Sequence, residues 1–289
     1  MQHTEQVREY YENNTRRFLK LGKHRGTQNI HQALWAEGVQ TPEEAVSYSN
    51  QLVLEEMNNL YTQTEKQGLS VLDLGCGVGS SVLYVAEHFV GKGQFTGITL
   101  SPLQAQLAEE RRQMIQLDQD VRFLAGDFLN LPDLPPQQIV FAIEAFVHAA
   151  DPDQFFREVG RVLDEGGKLI LIDDFMSKVG TQTDLLTDQQ KNWLKDFQEG
   201  WLANSLISIQ ELKKLASQYG LELIKDRNLT PYMEIGRLRD QLIGVMIRFA
   251  GPAMRQSTYF KSLTGGYAKQ QCLKTGLVSY RQLVLRKEK

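Results

Sequence analysis

Three short runs hold residues able to do chemistry. Phe141-Ala142-Ile143-Glu144-Ala145-Phe146-Val147-His148 places a carboxylate and an imidazole four positions apart, just after an apolar stretch. An imidazole changes charge near neutral pH, so His148 suits proton removal from a reacting group, with Glu144 beside it. Asp173 and Asp174 end a second apolar stretch and are placed either to orient His148 or to hold a substrate, with turn capping as the plain alternative. Gly75-Cys76-Gly77-Val78-Gly79 ends a third. Glycines there permit a tight turn and let a ligand approach the backbone, and a helix that follows points its first amides at that ligand. No metal is expected. Cys76 and Cys272 are too few for a thiolate zinc site, and Asp173 with Asp174 has no further ligand at suggestive spacing.

Positioning these groups takes strands that end together. Leu69–Leu74, Gln94–Ile98, Val121–Leu124, Ile139–Ile143 and Lys168–Ile172 read as buried strands. Between them, Ser80–Val90 and a segment opened by Ser101-Pro102 read as helices, the second with Ser at the N-cap and Pro at the first turn. Asp151-Pro152 opens another, and Gly166–Gly167 is expected to stop it. Strand and helix in alternation argue for a parallel sheet covered on both faces. Ile209–Tyr219 then reads as a helix, and Leu221–Ile224 and Val278–Leu285 as the last strands.

Composition narrows the function classes. The chain has 289 residues, 42% of them hydrophobic, enough to bury a full core. Lys and Arg number 32 against 35 Asp and Glu, a net charge of −3 that carries no global signature for nucleic acid or an anionic membrane. No apolar run approaches a membrane span and no export signal is visible, so a cytoplasmic, reducing setting is expected. The oligomeric state is left open.

Val71-Leu72-Asp73-Leu74-Gly75-Cys76-Gly77-Val78-Gly79 resembles the first motif of the class I S-adenosylmethionine-dependent methyltransferases. The resemblance covers most of Leu69–Phe175 and is weak outside it. It implies a Rossmann-like seven-stranded α/β sheet with helices on both faces, and S-adenosyl-L-methionine as cofactor. The glycine turn (Gly75, Cys76, Gly77, Gly79) would then lie against the cofactor's methionine part, with Asp73 positioning its amino group. Thr99-Leu100-Ser101-Pro102-Leu103-Gln104 departs from the usual acid at this place, but is similar to a subset that includes cyclopropane synthases and tocopherol methyltransferase relatives. In that subset Thr99, Leu100 and Gln104 would contact the cofactor; a capping box between Ser101 and Gln104 is the alternative. Gly126, Asp127 and Phe128 match the adenine-binding position. The Glu144–His148 run is similar to that of the sterol C-methyltransferases, which makes Glu144, His148 and Asp174 candidate catalytic residues, Glu144 also touching the cofactor.

Two regions fall outside the alternation. The Tyr10-Tyr11 stretch resembles the lid of isoprenoid-directed relatives, with Tyr11 over the cofactor. Residues 1–60 are thus expected as a helical lid, 61–175 as the cofactor-binding core, 176–207 and 232–263 as a helical cap, and 208–231 and 264–289 as the rest of the sheet. Trp35, Asp173, Trp193, Phe197, Trp201, Tyr232 and Met246 are the expected substrate-side residues, simple packing of the cap being the alternative for each. The expected function is methyl transfer to carbon, nitrogen or oxygen of a small hydrophobic metabolite of isoprenoid or terpenoid character. O- or N-methylation of a non-isoprenoid molecule, and cofactor binding without turnover, are the rivals.

Overall fold

Seven strands form one sheet in the order β3-β2-β1-β4-β5-β7-β6. The computed structural model describes residues 5, 7, 8, 31–64, 68–249 and 258–288. The strands are β1 Leu69–Leu74, β2 Gly93–Thr99, β3 Asp120–Ala125, β4 Gln137–Ile143, β5 Leu163–Met176, β6 Leu221–Asn228 and β7 Val278–Lys287. β1 to β5 run parallel, and β7 lies antiparallel between β5 and β6. The helices are α1 Pro42–Thr64, α2 Ser80–His88, α3 Pro102–Met114, α4 Pro152–Val162, the single turn α5 Lys178–Thr181, α6 Asp188–Trp201, α7 Ile209–Ser217, α8 Leu238–Phe249 and α9 Thr258–Lys274.

The period of two along each strand separates two cores. Val71, Ile139, Phe141, Ile170 and Ile172 face one side, against Leu52, Val53 and Met57 of α1 and Val82 and Val85 of α2. Leu72, Val140, Ala142, Leu169 and Leu171 face the other, against Phe155, Phe156 and Val159 of α4 and Leu212 and Ala216 of α7. Both faces being covered explains why the central strands read as uninterrupted apolar runs.

Three expected boundaries move. Gly166–Gly167 does not stop α4. That helix ends at Val162, and β5 begins at Leu163 with its register displaced opposite Gln137 and Ile139, so the glycines sit in the irregularity. The edge set at residue 60 falls inside α1, whose Leu52, Met57 and Leu60 are core residues, so this helix belongs to the sheet's covering layer. The edge set at 263 falls inside α9. Among the described residues no helix is long and apolar enough to cross a membrane.

Candidate active site

The order of the sheet reverses between β1 and β4, and a parallel sheet opens a crevice at the carboxyl ends of its strands at such a point. A cleft enclosing about 1000 Å³ of atom-free space, counting the part open to solvent, lies there. Gly75, Cys76 and Gly77 form one wall and Thr99, Leu100 and Gln104 another. Asp127, Phe128, Glu144 and His148 also line it.

The glycine turn has a specific geometry. Gly75 sits at φ +82°, and its N–H and that of Cys76 both donate to the Ile98 carbonyl, at 2.8 and 2.9 Å. A Cβ on Gly75 would come within 2.5 Å of the Ala145 Cβ, so the turn is packed against the end of β4. A Cβ on Gly77, at φ +54°, would meet nothing within 4 Å and would stand in the open space that Gly77 lines. Gly79 is different. Its Cβ would strike the Phe123 ring at 2.6 Å, it does not line the cleft, and it caps α2. Gly126 also lies off the cleft, its N–H donating to the Thr99 carbonyl.

Asp73 lies beneath the turn rather than on the cleft wall. It is buried, its Oδ2 has no hydrogen-bond partner among the described residues, and burial holds its carboxyl well above the usual carboxylate range. Burial, and then the Asp73 charge, push the Cys76 thiol well up, so Cys76 is no thiolate. Both readings of the β2 end hold together. Ser101 accepts from the Gln104 N–H as an N-cap, while Thr99 Oγ1 donates to Gln104 Oε1 at 2.7 Å and both residues line the cleft.

At the reacting end, Glu144 adopts φ +53°, a left-handed conformation that costs a non-glycine residue energy and concentrates at functional sites. Its Oε1 accepts from the Tyr280 hydroxyl at 2.8 Å and from the Gln32 N–H at 2.7 Å. His148 ends a 3₁₀ turn over Phe146–His148. Its Nδ1 lies 3.4 Å from the Leu202 carbonyl. Asp173 holds that turn: its Oδ2 accepts from the Val147 N–H at 2.9 Å.

Asp173 and Asp174 are held by structural partners. Neither lines the cleft, because the β5 end is covered by the turn and by α9. Asp174 pairs with Lys269 Nζ at 2.6 Å, both side chains being 2% exposed. Burial, with the neighbouring Asp174 charge, pushes the Asp173 carboxyl up to about 8. A consequence for stability follows. Between the ordinary 3.8 and about 8 the folded state holds this proton and the unfolded chain does not, so the contribution of Asp173 to stability falls as pH rises through that window. Asp173→Asn keeps an acceptor for Val147 but does not titrate. Urea unfolding should show the variant gaining on the wild type between pH 5 and pH 8; a constant difference would contradict the assignment.

The other expected substrate-side residues do not line the cleft either. Trp35 Nε1 donates to Glu234, Phe197 is fully buried in the core, and Trp193 packs against it. Trp201 donates to the Ser262 carbonyl and lies under Lys269, 4.8 Å from ring centroid to Nζ. Tyr232 stands against Tyr48 and Arg227, and Met246 is 43% exposed on α8. Tyr11 lies outside the described residues. The cleft also contains residues that the sequence reading did not single out for the site, Ser80, Ser81 and Leu129, each of them next to a motif. His31 lines it too, its Nε2 2.7 Å from Ser81 Oγ; burial lowers its pKa, the Glu144 charge working the other way.

A family model described as a methyltransferase domain matches residues 65–225, more than half of the chain. The chain belongs to this methyltransferase family. Norajmaline N-methyltransferase of Rauvolfia serpentina is 30% identical over 173 residues, covering 60% of this chain and 59% of that protein. The 24-methylenesterol C-methyltransferase 3 of Arabidopsis thaliana is 28% identical over 165 residues, covering 57% and 45%. The chain thus matches about half the length of these relatives. The cyclopropane synthase MmaA2 from Mycobacterium tuberculosis has the same fold, with a TM-score of 0.74 at 22% identity over 99% of this chain and 98% of that one. S-adenosyl-L-methionine is the cofactor of such a methyltransferase, and the residues present fit it. The orphaned Asp73 carboxyl oxygen suits an ammonium, the open side of Gly77 leaves room for close approach, and Asp127 with Phe128 suits an adenine edge and face.

Proposed function

We propose that this protein transfers a methyl group from S-adenosyl-L-methionine to a small hydrophobic acceptor of isoprenoid or terpenoid character. The observation that carries this is the meeting of the glycine turn, Glu144 and His148 in one cleft at the sheet's switch point. The bound cofactor supplies an already activated methyl group. The chain's own residues hold the acceptor in line with it and move any proton. His148 accepts that proton, and Asp173, through the Val147 N–H, and the Leu202 carbonyl keep the imidazole in place. Asp73, Gly75, Gly77, Thr99, Leu100, Gln104, Asp127 and Phe128 are assigned to the cofactor. Val7 and His31 also line the cleft.

The test is methyl-labelled cofactor incubated with the protein and a panel containing a sterol, a prenylated phenol and an alkaloid secondary amine. Label should appear in an organic extract. Binding of cofactor without label transfer to any member would favour the non-catalytic rival. For any acceptor that must lose a proton, His148→Ala should lower turnover about a hundredfold or more, and cofactor affinity far less. Wild-type turnover with an unchanged pH profile would remove His148 from the mechanism.

A further inference from the structure

The glycine turn is gripped by the helix beside it. Gly75, Gly77 and Gly79 all sit at positive φ, and glycine moves between such conformations and others at little cost. A turn built this way keeps one shape only if its peptide planes are held. The plane between Val78 and Gly79 is held at both edges. The Gly79 N–H donates to the Cys76 carbonyl at 2.9 Å. The Val78 carbonyl, which points the opposite way across the trans peptide, accepts from Arg111 Nη1 at 2.7 Å. The same nitrogen donates to Ser80 Oγ at 3.0 Å. Arg111 lies on α3 three residues after Ala108, so the two share one helix face. A Cβ on Gly79 would come within 2.9 Å of the Ala108 Cβ, so α3 meets the turn at three successive residues, 78, 79 and 80. Val78 and Ser80 line the cleft, and Ser101 and Gln104, where α3 begins, line it too. Burial lowers the pKa of the Arg111 guanidinium, but an arginine stays charged in proteins, so both bonds are charge-assisted.

We propose that Arg111 is a positioning residue for the amino-acid end of the cofactor, acting through the Val78 carbonyl and the Ser80 hydroxyl. This rests on the methyltransferase reading and adds to it a residue outside the three cofactor motifs. Without the guanidinium, the Val78–Gly79 peptide is free to rotate, and the turn spreads over several shapes of which one matches the ligand. The adenine end is assigned to Asp127 and Phe128, whose turn has its own bond, from the Leu129 N–H to Asp127 Oδ1 at 2.9 Å. Loss of Arg111 therefore falls on one end of the ligand and spares the other.

The experiment is calorimetry with two ligands, S-adenosylhomocysteine and 5′-methylthioadenosine. The second has the same nucleoside and sulfur but no amino-acid end. Arg111→Met keeps an apolar stem and removes both bonds. It should weaken S-adenosylhomocysteine about tenfold or more, the scale of a hydrogen bond to a charged group, and change 5′-methylthioadenosine by less than about twofold. Arg111→Lys keeps a charged donor on a shorter stem and should lose less, again on S-adenosylhomocysteine alone. Unchanged S-adenosylhomocysteine affinity in Arg111→Met would overturn the proposal. Equal losses for the two ligands would overturn it as well, because general damage to the fold weakens both. If the methionine variant folds poorly, the lysine variant carries the same comparison of ligands. Failure of the wild type to bind S-adenosylhomocysteine would instead overturn the methyltransferase reading itself.

Discussion

Gly77→Val should lower the affinity for S-adenosylhomocysteine at least a hundredfold, read by calorimetry. At this position the missing Cβ faces only the open cleft, so an isopropyl group would occupy space assigned to the cofactor. The backbone at φ +54° adds strain of about 1–2 kcal/mol to a side chain with a Cβ, so a modest fall in stability accompanies the loss. Gly75→Val provides the contrast. Its Cβ would collide with Ala145 at 2.5 Å, so the turn itself must move and folding should suffer first. Undiminished affinity in a folded Gly77→Val protein would refute the placement of the cofactor along this turn.

Lys269→Met should destabilise the fold by about 3–5 kcal/mol, the cost of breaking a buried pair by removing one partner. The variant removes the cation that offsets the burial of Asp174, whose carboxyl burial already pushes above its usual range, and leaves that carboxyl 2% exposed and next to Asp173. It also removes a cation stacked on Trp201 and lying 5.6 Å from the Tyr280 ring. Because Tyr280 donates to Glu144, some loss of order at the reacting end should follow. Adding Asp174→Asn to Lys269→Met replaces the stranded carboxyl with a neutral amide and should restore much of the stability. Denaturant unfolding of the single and double variants measures both. A loss under about 1 kcal/mol in the single variant would mean that the pair is solvated, against its burial.

The cofactor half of the site was readable because local sequence and local structure coincide there. A strand, a glycine turn and a helix start are contiguous in Leu69–Ser81, and each imposes its own residue types. The Ser101 N-cap and the Asp151 N-cap appear where Ser-Pro and Asp-Pro placed them, because capping is a bond between near neighbours. The acceptor half was not readable in this way. Trp193, Phe197 and Trp201 share a helical face, and one face of a helix says that something covers it without saying what.

The sequence by itself determined the sheet's central strands, the turn geometry around Gly75 and Gly77, and the placing of Glu144 and His148 at a strand's carboxyl end. All of these follow from periodicity and steric limits acting over a few residues. Only the tertiary structure decided the charges. Lys269 and Asp174 are 95 positions apart in the chain, and Tyr280 and Glu144 are 136 apart. Whether an acidic side chain ends paired with a lysine, anchoring a turn or lining a cleft depends on what long-range packing brings beside it and how far it shuts out water. The same residue type, aspartate or glutamate, takes each of these three states at Asp174, Asp173 and Glu144.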